Sequence, residues 1–345
     1  MRVLITGWSG YIAPLIARVL ESQNQQVTGI DAGYFEKCVM GDAVCVRPKI
    51  RKDVRDLVPS DIKNFDAIIH LAALSNEAMA KLRPEWTYQI NVEASLRLAR
   101  MARDVGVKRF LFASSCSIYG VAEDSHATES SPLRPLSEFA LSKVRVEEGL
   151  RELANDNFTP VYLRCATAYG ISPRMRLDLV LNNLTGWAFS TGRARVLSDG
   201  SPWRPLVHVE DIARAYAAIL MAPKALVHDQ AFNVGVPGEN YRIRDLGEIV
   251  QKIVPGSVVS YAGGSNPDST NYRVSFDKIS RTIPAYRPTW NVRKGVDEMY
   301  AAFLVEWIVP EDLESRNYIR IKQIRHLQES GELDENLQFN PIVEA

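Results

Sequence analysis

Arg2-Val-Leu-Ile-Thr-Gly-Trp-Ser-Gly-Tyr-Ile-Ala13 is the stretch that decides the fold. Arg2 to Thr6 is a short β-forming run, a turn containing Gly7 and Gly10 follows, and apolar residues then recur at helical spacing from Tyr11 to Ser22. A strand, a glycine turn and a helix in that order make the context in which a dinucleotide's diphosphate is bound. Gly7 permits the tight turn, and Gly10 lets the backbone approach a pyrophosphate lying at the helix N-terminus, with Tyr11 and Ile12 beside it. Ala13 stands where a third glycine is usual and is still small enough for close helix packing.

Downstream, Val27 to Asp31 forms the next strand and ends on a carboxylate about twenty residues past the fingerprint. Asp31 can accept hydrogen bonds from adenosine ribose hydroxyls and repels a 2′-phosphate, so NAD is expected rather than NADP. Strands at Ala67–Leu71, Arg109–Ser114 and Pro160–Arg164 alternate with helices over about 84–104 and 137–154. That alternation predicts a Rossmann-type α/β fold, a doubly wound parallel sheet covered on both faces. Residues 1–170 are read as the NAD-binding domain, with a return segment near 205–235. Residues 171–204 and 236–309, rich in Pro, Arg and Asn between helical stretches, are read as a smaller α/β substrate-binding lobe. The stretch 310–345 is charged and helix-forming with few core residues, and is expected to be a surface arm or a subunit contact.

Lys plus Arg and Asp plus Glu each number 41 in the 345 residues, so the formal charge is zero. That balance argues against a nucleic-acid partner held by counterion release. Cys38, Cys45, Cys116 and Cys165 form no CxxC pair, and the five histidines are scattered, so no metal site is expected. Reduced thiols and the lack of any long apolar run point to a soluble cytoplasmic protein without a membrane partner.

Several ordered motifs then agree: TGWSGYIA at 6–13, Asp31, Asp53-Val54, HLAA at 70–73, Asn91, SSCSIYG at 114–120, Lys143, YG at 169–170, NNL at 182–184 and RPLVHVED at 204–211. Over roughly residues 1–305 the chain resembles the extended short-chain dehydrogenase/reductases of the nucleotide-sugar epimerase/dehydratase family. The resemblance implies NAD, a nucleoside-diphosphate sugar as substrate, and a homodimer through the helices carrying Arg97 and Lys143. It also implies that Asp53 and Val54 hold the adenine and that Leu71, Ala72 and Ala73 line the pyrophosphate and ribose path. Asn91 would support the active-site helix within the cofactor site, and Lys143 would bind the nicotinamide ribose. Asn182, Asn183 and Leu184 would touch the diphosphate and sugar, Arg204 would clamp the diphosphate through its fork of donors, and Thr167 would belong to the substrate set. Arg174 and Arg176 read equally as part of that cradle or as solvated loop charges. Asp268 and Tyr272 keep the spacing of the family's Asp-x-Arg-x-Tyr element, but Thr270 replaces the arginine, for which Arg273 is the expected substitute. His70 is read as a core residue.

One position departs from the family. Phe139 stands four residues before Lys143, where relatives have the tyrosine that abstracts a hydroxyl proton while NAD takes the hydride from the same carbon. Ser115 fits the hydroxyl that hydrogen-bonds the reacting oxygen, and Lys143 the cation that lowers the tyrosine pKa. Cys116 and Ser117 occupy the places of the Asp–Glu pair of relatives that eliminate water, which argues against an ordinary 4,6-dehydratase. Three readings of Phe139 stand open: a Tyr→Phe replacement that stops turnover, a natural enzyme working through Cys116, Ser115 or water, and a silent NAD or sugar-nucleotide binding protein. The leading expectation is an NAD-dependent nucleotide-sugar epimerase acting by transient oxidation of the sugar ring. A ketosugar reductase or a non-redox epimerase or isomerase of a 4-ketosugar is the alternative.

Overall fold

A computed structural model describes residues 1–41, 48–75, 77–261 and 270–340. Its centre is a parallel sheet of seven strands. In chain order the first five are β1 (Arg2–Thr6), β2 (Gln26–Asp31), β3 (Ile50–Arg51), β4 (Ala67–His70) and β5 (Arg109–Ser115). After β6 (Val121–Ala127), which lies outside this sheet, come β7 (Thr159–Cys165) and the strand Gln230–Val234. Across the sheet the order is Gln230–Val234, β7, β5, β4, β1, β2, β3. The order reverses between β1 and β4, and a crevice opens at the carboxyl ends of the strands at such a reversal. Strands buried on both faces need unbroken apolar runs, and Val3, Leu4, Ile5 and Ala67, Ile68, Ile69 are all fully buried.

Two apolar clusters cover the faces. One joins the helix Ala13–Ser22 and the helix Val209–Met221 to the smaller lobe; the other packs the helices Ala94–Asp104 and Glu138–Leu153. The expected helix over 84–104 is interrupted at Tyr88–Glu93 by a turn of π-helix, a feature with no signature in apolar periodicity. The smaller lobe is built on the strands Thr167–Tyr169, Trp203–His208 and Asn240–Arg242, which pair side by side, with the helices Val180–Thr191, Ile243–Ile253 and Val292–Glu306 against them.

The C-terminal stretch is not the expected surface arm. Ile324 and Leu327 of the helix Arg320–Glu329, together with Leu333 and Leu337, join the second cluster, and Phe339 packs against it. Few apolar residues suffice because each is spent inward. The Leu337 carbonyl accepts hydrogen bonds from Tyr34 Oη and Arg55 Nη2, which hold Leu337 at a left-handed φ of 58°. Among the described residues no helix is long and apolar enough to cross a membrane.

Candidate active site

A cavity of about 540 Å³ lies at the strand-order reversal and runs on between the sheet and the smaller lobe. One wall is the Gly7–Ala13 turn and helix start, and the other is Leu71, Ala72 and Ala73. Gly7 has a φ of +76°, and a Cβ there would sit 2.7 Å from the Ala72 nitrogen, so this cleft exists only with glycine. At the end of β2, the Asp31 carboxylate accepts hydrogen bonds from the Ser9 N–H at 2.9 Å and the Gly33 N–H at 2.7 Å. Burial raises its pKa, and those two N–H groups offset only part of the rise. The fixed carboxylate faces the cavity together with Asp53 and Val54. Asp53 is itself engaged, accepting from Arg55 and from Tyr34 Oη. A closely approachable glycine cradle, a helix start and a ribose-side carboxylate in one cleft fit a dinucleotide.

At the other end, β5 and the helix Glu138–Leu153 bring Ser115, Ser117, Phe139 and Lys143 to the cavity. Ser115 caps the 3-10 turn Cys116–Tyr119. Its Oγ accepts from the Ser117 N–H at 3.2 Å and from Ser117 Oγ at 2.9 Å, so its own proton is left to donate elsewhere. Ser137 caps the neighbouring helix by accepting from the Ala140 N–H. This places Phe139 in the first turn and Lys143 one turn further, on the same face. Lys143 Nζ lies 4.9 Å from the Phe112 ring centre and 5.5 Å from that of Phe139. It has no carboxylate partner among the described residues, and burial brings its pKa down to about 8. Cys165 also lines the cavity, but burial pushes its thiol up to about 12, so it stays protonated at neutral pH.

Several sequence-based expectations need correction. Cys116 does not face the cavity: it is fully buried in the core, its Sγ donates to the Arg164 carbonyl at 3.1 Å, and burial raises its pKa well above the usual thiol range. Ser115 and Ser117 both face the cavity and bond one another, while Cys116 between them turns into the core. Asn91 lies behind the cavity wall, where its amide bonds both the N–H and the carbonyl of Leu74 and reaches Ser142 Oγ. It fixes the loop after β4 to the helix of Lys143, in keeping with the supporting role expected of it, and does not itself line the cavity. Asn182 Oδ1 accepts from the Gly170 N–H and its Nδ2 donates to Tyr11 Oη and the Arg176 carbonyl, while Asn183 Nδ2 donates to the Leu177 carbonyl. Leu184 is core. None of the three lines the cavity; Leu179 and Val180 at the start of that helix do. Arg174 is buried with its Nη1 on the carbonyls of Phe35 and Glu36, whereas Arg176 faces the cavity, paired with Asp178 at 2.9 Å. Arg273, the expected substitute for the arginine replaced by Thr270, lies over the Trp203 ring at 5.2 Å and does not line the cavity.

Thr167, Arg204, Thr270 and Tyr272 do line the cavity. Arg204 Nη1 donates to the carbonyls of Trp203 and Thr270, and its guanidinium lies 5.9 Å from the Tyr272 ring centre. Asp268 lies outside the described residues. His70 is a core residue, bonded to Thr6 and Ser95 hydroxyls, with burial bringing its pKa down to about 3. Sequence reasoning missed Tyr34, Phe35, Lys52, Asp178 and Arg320 as cavity residues. The aromatic pair after Asp31 was a usable signal, but nothing local marks Arg320. No group of three or more His, Cys, Asp or Glu able to hold a metal occurs among the described residues.

The model of the NAD dependent epimerase/dehydratase family matches residues 3–235. A UDP-glucose 4-epimerase of Corynebacterium glutamicum is 27% identical over 322 residues, covering 87% of this chain and 95% of its own. One from Bacillus subtilis is 25% identical over 340 residues with the same coverage. Among solved structures, TunA, described as an NAD dependent NDP-hexosamine 5,6-dehydratase involved in tunicamycin biosynthesis, matches with a TM-score of 0.77 at 23% identity, over 88% of this chain and 98% of its own. A tyrosine-to-phenylalanine mutant of a Bacillus cereus UDP-glucuronic acid 4-epimerase, complexed with a fluorinated UDP-sugar and NAD, matches with a TM-score of 0.75 at 22% identity, over 88% and 99%.

Proposed function

The chain belongs to the NAD dependent epimerase/dehydratase family, and on that footing we propose that it is an NAD-dependent nucleotide-sugar epimerase with an incomplete proton-transfer set. The observation that carries this reading is the joint placement of Ser115, Lys143 and Phe139 in the same cavity as the Gly7–Ala13 turn. When bound, NAD supplies a hydride acceptor for the ring carbon of the sugar. Gly7, Gly10 and Asp31 would hold its diphosphate and adenosine ribose, and Lys143 its nicotinamide ribose. Arg204 would meet the substrate's diphosphate, and the relatives' names favour a UDP-hexose.

Ser115 would donate its free proton to the reacting sugar oxygen, stabilising the negative charge that builds there. The proton leaving that oxygen has no phenol to go to, because Phe139 carries no hydroxyl. Lys143 has a pKa of about 8, so its neutral amine is populated near neutral pH. We assign proton acceptance to that amine, through a water in the space a hydroxyl on Phe139 would fill. Elimination of water is disfavoured, since Cys116 faces the core and Ser117 is no carboxylate. A dimer through the helices carrying Arg97 and Lys143 belongs to the same proposal, with light scattering as its test.

The test is to purify the chain and its Phe139→Tyr variant, measure NAD and UDP-hexose binding by calorimetry, and follow 4-epimerisation by NMR. If neither form binds NAD or a sugar nucleotide, the reading fails. A second reading is favoured by the amine of Lys143: proton exchange at the carbon beside a ketosugar carbonyl, without redox. Solvent deuterium at that carbon with no NADH formed would select it, and net NADH consumption would select a reductase. Tight NAD binding with no turnover by either form would mark a binding protein.

A further inference from the structure

We propose that Arg320, delivered by the C-terminal segment, completes the cofactor site by binding a phosphate of the dinucleotide's diphosphate. This inference rests on assigning the cavity to NAD. Arg320 is the first residue of the helix Arg320–Glu329, is 2% exposed, and lines the cavity. Its guanidinium lies 4.8 Å from the Phe35 ring centre, and its Nη2 donates to the Arg174 carbonyl at 2.8 Å. Its Nη1 makes a long contact to the Asn317 carbonyl at 3.4 Å, and the Cys38 thiol lies beside the guanidinium.

What sets it apart is its charge balance. Arg176 is matched by Asp178, and Lys52 by Asp61 at 2.8 Å. Arg320 forms no ion pair with a carboxylate among the described residues; Asp178, already paired with Arg176, acts on it only from a distance, the Cys38 thiol acts on it from beside it, and Arg174 and Arg176 add positive charge nearby. A buried cation without a counter-charge is costly, and an anion arriving in the cavity offsets that cost. Burial and the neighbouring arginines bring its pKa down to about 10, which leaves it charged at neutral pH.

Position names the anion. Phe35 follows Asp31 on the ribose side of the cavity, whereas Arg176 reaches toward Tyr11 and Ser75 beside the glycine turn. Arg320 stands against Phe35 and within electrostatic reach of Arg176, in the span where a dinucleotide would pass from adenosine ribose to diphosphate. A guanidinium meets phosphate oxygens in pairs. The segment that carries it is fastened to the same wall. Gln323 Nε2 donates to the Tyr34 carbonyl, Arg55 to those of Asn336 and Leu337, and Trp86 Nε1 to that of Glu335. Tyr34 and Phe35 thus face the cavity on one side and the C-terminal segment on the other.

The test titrates NAD, ADP-ribose and adenosine into the full chain and into its Arg320→Met and Arg320→Lys variants, with melting of each ligand-free form. Loss of one charge-assisted hydrogen bond to phosphate predicts that R320M weakens NAD and ADP-ribose by about 10- to 100-fold. Adenosine affinity should stay within about twofold, since it carries no phosphate, and Arg320→Lys should recover part of the loss. Ligand-free R320M should still melt in one cooperative step, so that a loss confined to the phosphate-bearing ligands is read on a folded protein. Unchanged NAD affinity in R320M overturns the proposal, and so does an equal loss for all three ligands, the mark of a purely structural role. Failure of the parent chain itself to bind NAD strikes the cofactor assignment and removes Arg320's role with it.

Discussion

Phe139→Tyr should convert a slow or silent chain into an efficient one. Phe139 lines the cavity and its ring centre is 5.5 Å from Lys143 Nζ. Taking that separation for the new phenolate–ammonium pair, with an effective dielectric constant of about 20, the attraction is roughly 3 kcal/mol. At 1.36 kcal/mol per unit, this moves a tyrosine from about 10 to about 8, where a usable fraction is ionised at neutral pH. A positioned general base contributes about 10²- to 10⁴-fold, which is about 2.7 to 5.5 kcal/mol of barrier. Phenol and phenyl differ by one oxygen that projects into the cavity, so the fold should tolerate the change and the melting temperature should stay within about 2 °C. The assay is single turnover with NAD and a UDP-hexose, read at the NADH absorbance, beside steady-state interconversion followed by NMR. A variant that folds, binds both ligands, and yet turns over within threefold of the parent would refute the assignment of position 139 to proton transfer.

Ser115→Ala in the Phe139→Tyr background should lower kcat by about 10²-fold with little change in NAD affinity, since it removes one donor to the charged oxygen; equal rates would sink that role. In the parent chain, Lys143 has a folded pKa of about 8, below its ordinary 10.5, so the amine is protonated below about 8 and neutral above it. The kcat of the Phe139 form should therefore rise with pH through about 8 and then level, and a flat profile from pH 6.5 to 9 would exclude the amine as acceptor. Asp31→Ser removes the charge that repels a 2′-phosphate and should improve NADP binding at least about tenfold, measured by competition against NAD. Leu337→Ala opens a cavity where a fully buried side chain was. It should cost about 2 to 5 kcal/mol in denaturant unfolding and weaken NAD as the wall behind Tyr34 loosens; a loss near zero would mean that the C-terminal segment does not dock.

The cofactor end of the site was legible in the sequence because its parts are consecutive. A strand, a glycine turn and a helix within twelve residues carry their own geometry, and Gly7 and Asp31 occupy the places their neighbours demand. Ser115, Ser117, Phe139 and Lys143 were legible for a similar reason, since a strand end and one helix face fix which side chains look outward. The expectations that failed were those where a polar side chain had two available uses. Asn182, Asn183 and Arg174 carry groups suited to phosphate, yet each is consumed by backbone groups of loops that would otherwise be buried unpaired. Cys116 lies between two cavity residues, and only the local turn decides that it looks into the core.

By itself, the sequence determined the doubly wound sheet, the dinucleotide cleft and the missing phenol at position 139, because all three follow from residue type and spacing within a single strand–helix unit. Tertiary structure alone decided which arginines face the cavity and which are spent on loops. It also brought a C-terminal segment, charged and poor in apolar residues, against Tyr34 and Phe35 with Arg320 lining the cavity. The reason is physical: contacts between residues nearly 300 positions apart leave no periodicity in the chain, and the worth of a buried charge depends on what folding puts beside it.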